Sequence, residues 1–97
     1  MALRISGKNL DIGQALRARI DETVSGIVRK YFDRGYSGQV TVTKDGNGFE
    51  TDCALHLDSG AVLEARGMAN DAHLSFDQAA ERLDKQLRRY KRRLKDH

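Results

Sequence analysis

The chain has 97 residues, 39% of them hydrophobic and 32% charged, with one cysteine, no proline and a net charge of +3. That length supports one core and no second, so residues 1–97 read as a single domain. No apolar run reaches the roughly 18 residues a membrane span needs. Arg4 and Lys8 stand where a signal peptide would hold its apolar stretch, and the lone Cys53 excludes an internal disulfide, so a reducing cytoplasm is the expected setting.

Leu3 and Ile5 alternate with Arg4 and Ser6 in a short first strand that Gly7 ends. Asp11 opens a helix, with Gln14 three residues on as in a capping box. Ile12, Leu16, Ile20, Val24, Ile27 and Tyr31 follow at helical spacing and form its buried stripe, and Gly35 is the expected stop. The period then changes from 3.6 to two. Val40 and Val42 mark a second strand, Asp45-Gly46-Asn47-Gly48 a hairpin, and Cys53, Leu55 and Leu57 a third strand. Asp58-Ser59-Gly60 turns the chain into a fourth strand carrying Leu63 and Ala65, and Asn70-Asp71 caps a long last helix. The order is β-α-β-β-β-α. It predicts an α+β domain in which two amphipathic helices cover one apolar sheet face.

The last helix holds the charge. Residues 1–84 carry ten Lys/Arg against thirteen Asp/Glu, a net of −3, whereas residues 85–97 carry seven Lys/Arg against Asp96, a net of +6. Phe76, Ala80, Leu83, Leu87, Tyr90 and Leu94 recur at alternating spacings of four and three. At about 100° per residue they share a stripe roughly 80° wide. Arg82, Lys85, Arg89, Arg92 and Arg93 cluster opposite it. Arg88, Lys91 and Lys95 share a flank with Asp77, Glu81 and Asp84, where Glu81–Lys85 and Asp84–Arg88 are favourable four-apart pairs. One or two terminal cations complement the helix macrodipole, and a long basic face is often mere solvation. Seven basic residues among the eleven from Lys85 to Lys95 exceed the dipole's need, because that effect fades within a turn. An anionic partner is indicated, nucleic acid first.

Enzyme chemistry finds no foothold. Cys53 and His56 sit at an odd spacing in a strand, so they point to opposite faces and cannot share a metal; Cys53 reads as a small core residue. His73 falls in a helix's first turn, where packing or surface exposure explains it. Gly46-Asn47-Gly48 leads into a strand and not into a helix N-terminus, so it is no phosphate cradle. No nucleophile is paired with a base. The expectation is no enzyme, no metal, no cofactor and no small-molecule substrate. Tyr90 among arginines suits base stacking, but its place in the apolar stripe favours packing. Phosphate contact remains the main chemistry of this helix, and it positions without reading sequence.

Several stretches carry a resemblance: Ile5-Ser6-Gly7-Lys8-Asn9, Ile12 with Ala15-Leu16-Arg17, and Tyr31-Phe32-Asp33-Arg34. Further on stand Asp71, Phe76-Asp77, Leu83-Asp84-Lys85-Gln86-Leu87 and Lys91-Arg92-Arg93-Leu94-Lys95. Together the chain resembles the ribosome hibernation-promoting factor and ribosome-associated inhibitor A family from end to end. It departs at His73, where the family usually has Tyr, and at Leu74-Ser75, where Ala is usual.

The resemblance implies a four-stranded sheet with two helices on one face, similar to double-stranded-RNA-binding domains. It also implies that residues 1–97 form a single ribosome-binding domain. Such a domain occupies the mRNA channel and the A and P sites of the small ribosomal subunit, competes there with tRNA and mRNA, and blocks translation under stress or in stationary phase. The rRNA contacts implied at matching positions are Arg82, Lys85, Arg89, Lys91, Arg93 and Lys95, to which the helical wheel adds Arg88 and Arg92. A short factor and the first domain of a longer one both fit. A general binder of structured RNA, or a protein-interaction module that meets an acidic partner, are the alternative readings.

Overall fold

The structure, a computed structural model, describes residues 2–33 and 35–95, with the side chains of Ala2 and Lys95 left aside. Arg34 of the resemblance therefore lies outside the described residues. The order is β1 (Ala2–Lys8), α1 (Gln14–Tyr31), β2 (Tyr36–Asp45), β3 (Gly48–Leu57), β4 (Val62–Ala69) and α2 (Ala72–Lys95). The strands lie side by side in sequence order, β1 parallel to β2 and the remaining neighbours antiparallel. This is the β-α-β-β-β-α sheet-and-two-helix architecture that the periodicities predict.

Alternation decides which sheet face is covered. Val40, Val42, Cys53, Leu55, Leu57 and Ala65 are buried beneath the helices, joined by Leu16, Ile20, Val24 and Val28 of α1. Register places Val40 opposite Cys53 and Cys53 opposite Ala65, so the apolar rows run continuously across three strands. Thr51 also belongs to this face and is fully buried. The hairpin between β2 and β3 closes through two residues, and Gly46 takes the positive φ of 62° that its first central position needs.

Two boundaries differ from expectation. α1 begins at Gln14 behind Gly13 as N-cap, with no side-chain cap. Asn9 adopts φ 64°, after which Leu10 and Ile12 fold against the core, and Asp11 is left exposed two residues ahead of the N-cap. At the other end α1 stops at Tyr31, four residues before Gly35, because Phe32 turns extended (φ −140°, ψ 142°). That turn lets the Phe32 ring pack 5.8 Å from the ring of Tyr90 on α2. Among the described residues no helix is long and apolar enough to cross a membrane.

Candidate nucleic-acid interface

Asp71 caps α2: its Oδ1 accepts from the backbone N–H of His73 (2.8 Å) and of Leu74 (3.2 Å). No glycine or proline interrupts the next 24 residues, so the helix runs about 36 Å. Phe76, Ala79, Ala80, Leu83 and Leu87 form its buried stripe. The small residues in that stripe allow close docking on β4, and Gly67 allows more. A Cβ on Gly67 would stand 2.2 Å from the Ser75 carbonyl oxygen and 2.6 Å from the Ala79 nitrogen. Ser75 is fully buried there, donating to Ala72 O at 2.9 Å and lying 2.7 Å from the Thr51 hydroxyl.

Both flanks of α2 are tied down. The two helices run parallel, and on the α1 side the carboxylate of Asp77 accepts two N–H groups of Arg19 (2.8 and 3.1 Å to Oδ1). Farther along, Asp84 accepts from Lys30 (2.7 Å) and from the Tyr31 hydroxyl (2.5 Å). Burial alone would raise the Asp84 pKa, but the hydrogen bonds from Lys30 and Tyr31, with the charges of Lys30 and Arg88, hold it below its ordinary 3.8. The Asp84–Arg88 pair expected along the helix is not formed, because Asp84 faces α1. On the other flank, Gln78, Arg82 and Gln86, four residues apart, reach the open edge of β4. Gln78 Oε1 accepts from Met68 N (3.2 Å), Arg82 donates to Arg66 O, and Gln86 donates to Glu64 O (2.6 Å). Three outward backbone groups of an edge strand are thereby satisfied.

The predicted contact residues divide accordingly. Arg82 is exposed but committed to the β4 edge. Lys85 is exposed and 3.7 Å from Glu81, a pairing water screens heavily. Lys91 is half-buried on the flank that faces α1. Arg88, Arg89, Arg92 and Arg93 are exposed and make no ion pair or side-chain hydrogen bond among the described residues. Lys95 ends the helix, and its side chain lies outside the described residues. The structure thus brings Lys85, Arg88, Arg89, Arg92 and Arg93 into one exposed ridge. Arg88–Arg92 and Arg89–Arg93 are like-charge pairs four apart, each destabilising an isolated helix by about 0.2–0.5 kcal/mol. Folding therefore does not ask for them.

Leu94 departs from the apolar stripe that its spacing assigns it, being 51% exposed. The sheet beneath ends first: Tyr90 is the last stripe residue with a support, its hydroxyl 2.8 Å from Ser59 Oγ and its ring against Phe32. The final turns overshoot the domain, whose long dimension is 46 Å against 22 and 18 Å. The packing reading of Tyr90 holds. Cys53 is buried in the core, where burial first and Asp52 second push its thiol up to about 12, and His56 points to the open face. Three features carry no local sequence signal: the Arg19–Asp77 and Lys30–Tyr31–Asp84 ties, and the Arg66 contacts to Asp52 (2.6 Å) and Glu50 (3.4 Å) on the open sheet face. Their partners are far apart in the chain.

A four-stranded sheet that clamps one long amphipathic helix by stripe, flank and strand edge, leaving a cationic ridge outward, defines a small α+β domain built to present positive charge. The chain belongs to the family described as Sigma 54 modulation protein / S30EA ribosomal protein, which matches residues 3–95. It is 57% identical over 97 residues to a protein of Rhizobium meliloti named ribosome hibernation promotion factor, covering all of this chain and 51% of that one. A protein of the same name from Bradyrhizobium diazoefficiens is 57% identical over 96 residues, covering 99% of this chain and 47% of the relative. The chain thus spans about half the length of these relatives. Among solved structures, the N-terminal domain of Thermus thermophilus Protein Y superposes with a TM-score of 0.84 at 23% identity, covering 93% of this chain and 99% of that one. That likeness shows the fold.

Proposed function

We propose that the domain is the ribosome-binding part of a hibernation factor and that residues 1–97 suffice for binding. The α2 ridge lies against phosphates of small-subunit rRNA in the channel used by mRNA and by A- and P-site tRNA, and the bulk of the domain blocks that channel. No bond is made or broken; occupancy is the activity, and its setting is the cytoplasm under stress or in stationary phase. The names of the relatives support the ribosomal address. The observation that carries the reading is the ridge itself: four arginines of one helix, exposed and unengaged among the described residues, on a helix docked by its apolar stripe as far as Tyr90 and tied on both flanks between Asp77 and Gln86. A rigid cationic rod suits folded RNA, whose phosphates hold fixed positions.

Sedimentation with separated subunits at two salt concentrations tests this. The protein should travel with the small subunit, and excess bulk tRNA or duplex RNA should not displace it. With Lys85, Arg88, Arg89, Arg92 and Arg93 each meeting a phosphate, log K should fall against log salt with a slope of about −3.5 to −4.5. A slope near −1 would point instead to an acidic protein, and displacement by bulk RNA to a general RNA binder. Changing Arg89, Arg92 and Arg93 together to Glu should abolish co-sedimentation while leaving the thermal melt nearly unchanged.

A further inference from the structure

Tyr90 stands within the ridge sequence, with Arg88 and Arg89 before it and Arg92 and Arg93 after it, yet it packs against the core. Its hydroxyl lies 2.8 Å from Ser59 Oγ in the β3–β4 turn, and its ring centroid 5.8 Å from that of Phe32. We propose that Tyr90 is the positioning residue of the ridge. Through Ser59 it ties the last turns of α2 to the sheet, so that Arg92 and Arg93 are held in line with Arg88 and Arg89 before RNA arrives. This rests on the RNA reading above.

The last turns have no other tie of this kind. Beyond Tyr90 no side chain of α2 makes a hydrogen bond or ion pair among the described residues, and Leu94, one turn on, is 51% exposed. The backbone gives little help there, because the last carbonyl groups of a helix lack partners within it. Arg88–Arg92 and Arg89–Arg93 repel as well, so an untied end of this composition frays. The anchor, by contrast, is fixed. Leu57 N donates to Ala61 O and Gly60 N to Leu57 O, both at 2.9 Å, which closes the turn that carries Ser59 onto the end of β3. The hydroxyl is the telling group. Phenylalanine would pack its ring on Phe32 equally well, whereas the tyrosine oxygen adds a bond to a turn 31 residues away in the chain. A ridge ordered in advance avoids an ordering cost on binding, and RNA phosphates held in fixed positions reward that.

The test compares small-subunit affinity, its salt slope and backbone ¹⁵N order parameters in the intact protein and its variants. Tyr90→Phe and Ser59→Ala should each weaken binding about fivefold, the equilibrium worth of one hydrogen bond, and the double variant should be no weaker than either. The salt slope should not change, because the helix, once reordered, meets the same phosphates. A residue that itself touched a phosphate would lower the slope by about 0.7–0.9 when removed. In the free protein the order parameters of Arg92, Arg93 and Leu94 should fall from about 0.85 towards about 0.6. Ser59→Thr keeps the hydroxyl and should bind as wild type does. Ile20→Val, a core variant on α1, should lower the melt and leave affinity unchanged, which separates positioning from stability in general. The proposal is overturned if either hydroxyl variant binds as tightly as wild type, if the slope falls, or if the final turn keeps its order. It is overturned equally if the two losses add or if Ser59→Thr is as weak as Ser59→Ala. A wild type that binds small subunits no better than Tyr90→Phe does loses this inference alone. A wild type that ignores small subunits loses the ribosomal address, and the same comparison is then read on duplex RNA.

Discussion

The Thr51 and Ser75 hydroxyls meet 2.7 Å apart in the otherwise apolar seam between β3 and α2, with neither side chain exposed. The Ser75 proton goes to Ala72 O, so Thr51 donates to Ser75 and depends on it. Replacing Ser75 by Ala leaves a buried hydroxyl without an acceptor in that seam, which should cost about 1–3 kcal/mol. Adding Thr51→Val removes the orphan, and the double variant should recover most of that loss. Denaturant melts of the single and double variants check this; simple additivity would mean that the two hydroxyls are independent.

Gly67 is set by contact and not by backbone angle. An added methyl group would meet the Ser75 oxygen, the Ala79 nitrogen and the Gln78 side chain at 2.2, 2.6 and 2.8 Å, and two of these are rigid helix backbone. Gly67→Ala must therefore lift α2 from β4, at a cost of about 3 kcal/mol or more. Circular dichroism should show a markedly lower Tm, whereas Gly26→Ala, where nothing lies within 4 Å, should raise it through helix propensity.

Periodicity made the six elements legible, since Val40, Val42, Cys53, Leu55 and Leu57 alternate and Phe76, Leu83 and Leu87 repeat at helical spacing. The cap at Asp71 was legible for the same local reason. What sequence could not tell was where the support ends. Leu94 obeys the same spacing as Leu87, but it stands where β3 ends at Leu57 and is 51% exposed, and strand length relative to helix length is a tertiary quantity. The two ends of α1 moved for a related reason, because Leu10, Ile12 and Phe32 gained more from the core than from helical continuation. The basic ridge was visible as charge density. Its internal division was hidden, because what separates Arg82 from Arg89 is a strand edge contributed by Arg66.

Arg82 and Arg89 lie close together on the helical wheel, yet they should behave oppositely. Arg82→Ala removes the donor to Arg66 O and should cost about 1 kcal/mol of stability. Its effect on small-subunit binding should be slight. Arg89→Ala should leave the melt unchanged and weaken binding, lowering the salt slope by about 0.7–0.9 if it neutralises one phosphate. Parallel melts and salt titrations of the two variants decide the matter, and equal loss of binding would return Arg82 to the ridge.

Asp84 makes the clamp between the helices depend on pH from both sides. Its folded pKa is held below 3.8, so the unfolded chain takes up a proton before the folded one does. The stability it supplies is complete above that value and fades as pH falls through the folded pKa. Tyr31, which donates to Asp84, is raised above 10.0, first by that hydrogen bond and then by burial. Its share is present below pH 10.0 and is lost as pH rises through the folded value, when a phenolate would face the carboxylate. The stability gap between wild type and Asp84→Asn should therefore be widest between these limits. It should narrow in acid, where wild type loses its carboxylate, and narrow again in strong alkali, where Tyr31 no longer donates. Denaturant unfolding of both proteins across pH measures that gap, and a constant gap from acid to neutral would show that Asp84 does not hold α2 to α1 through its charge.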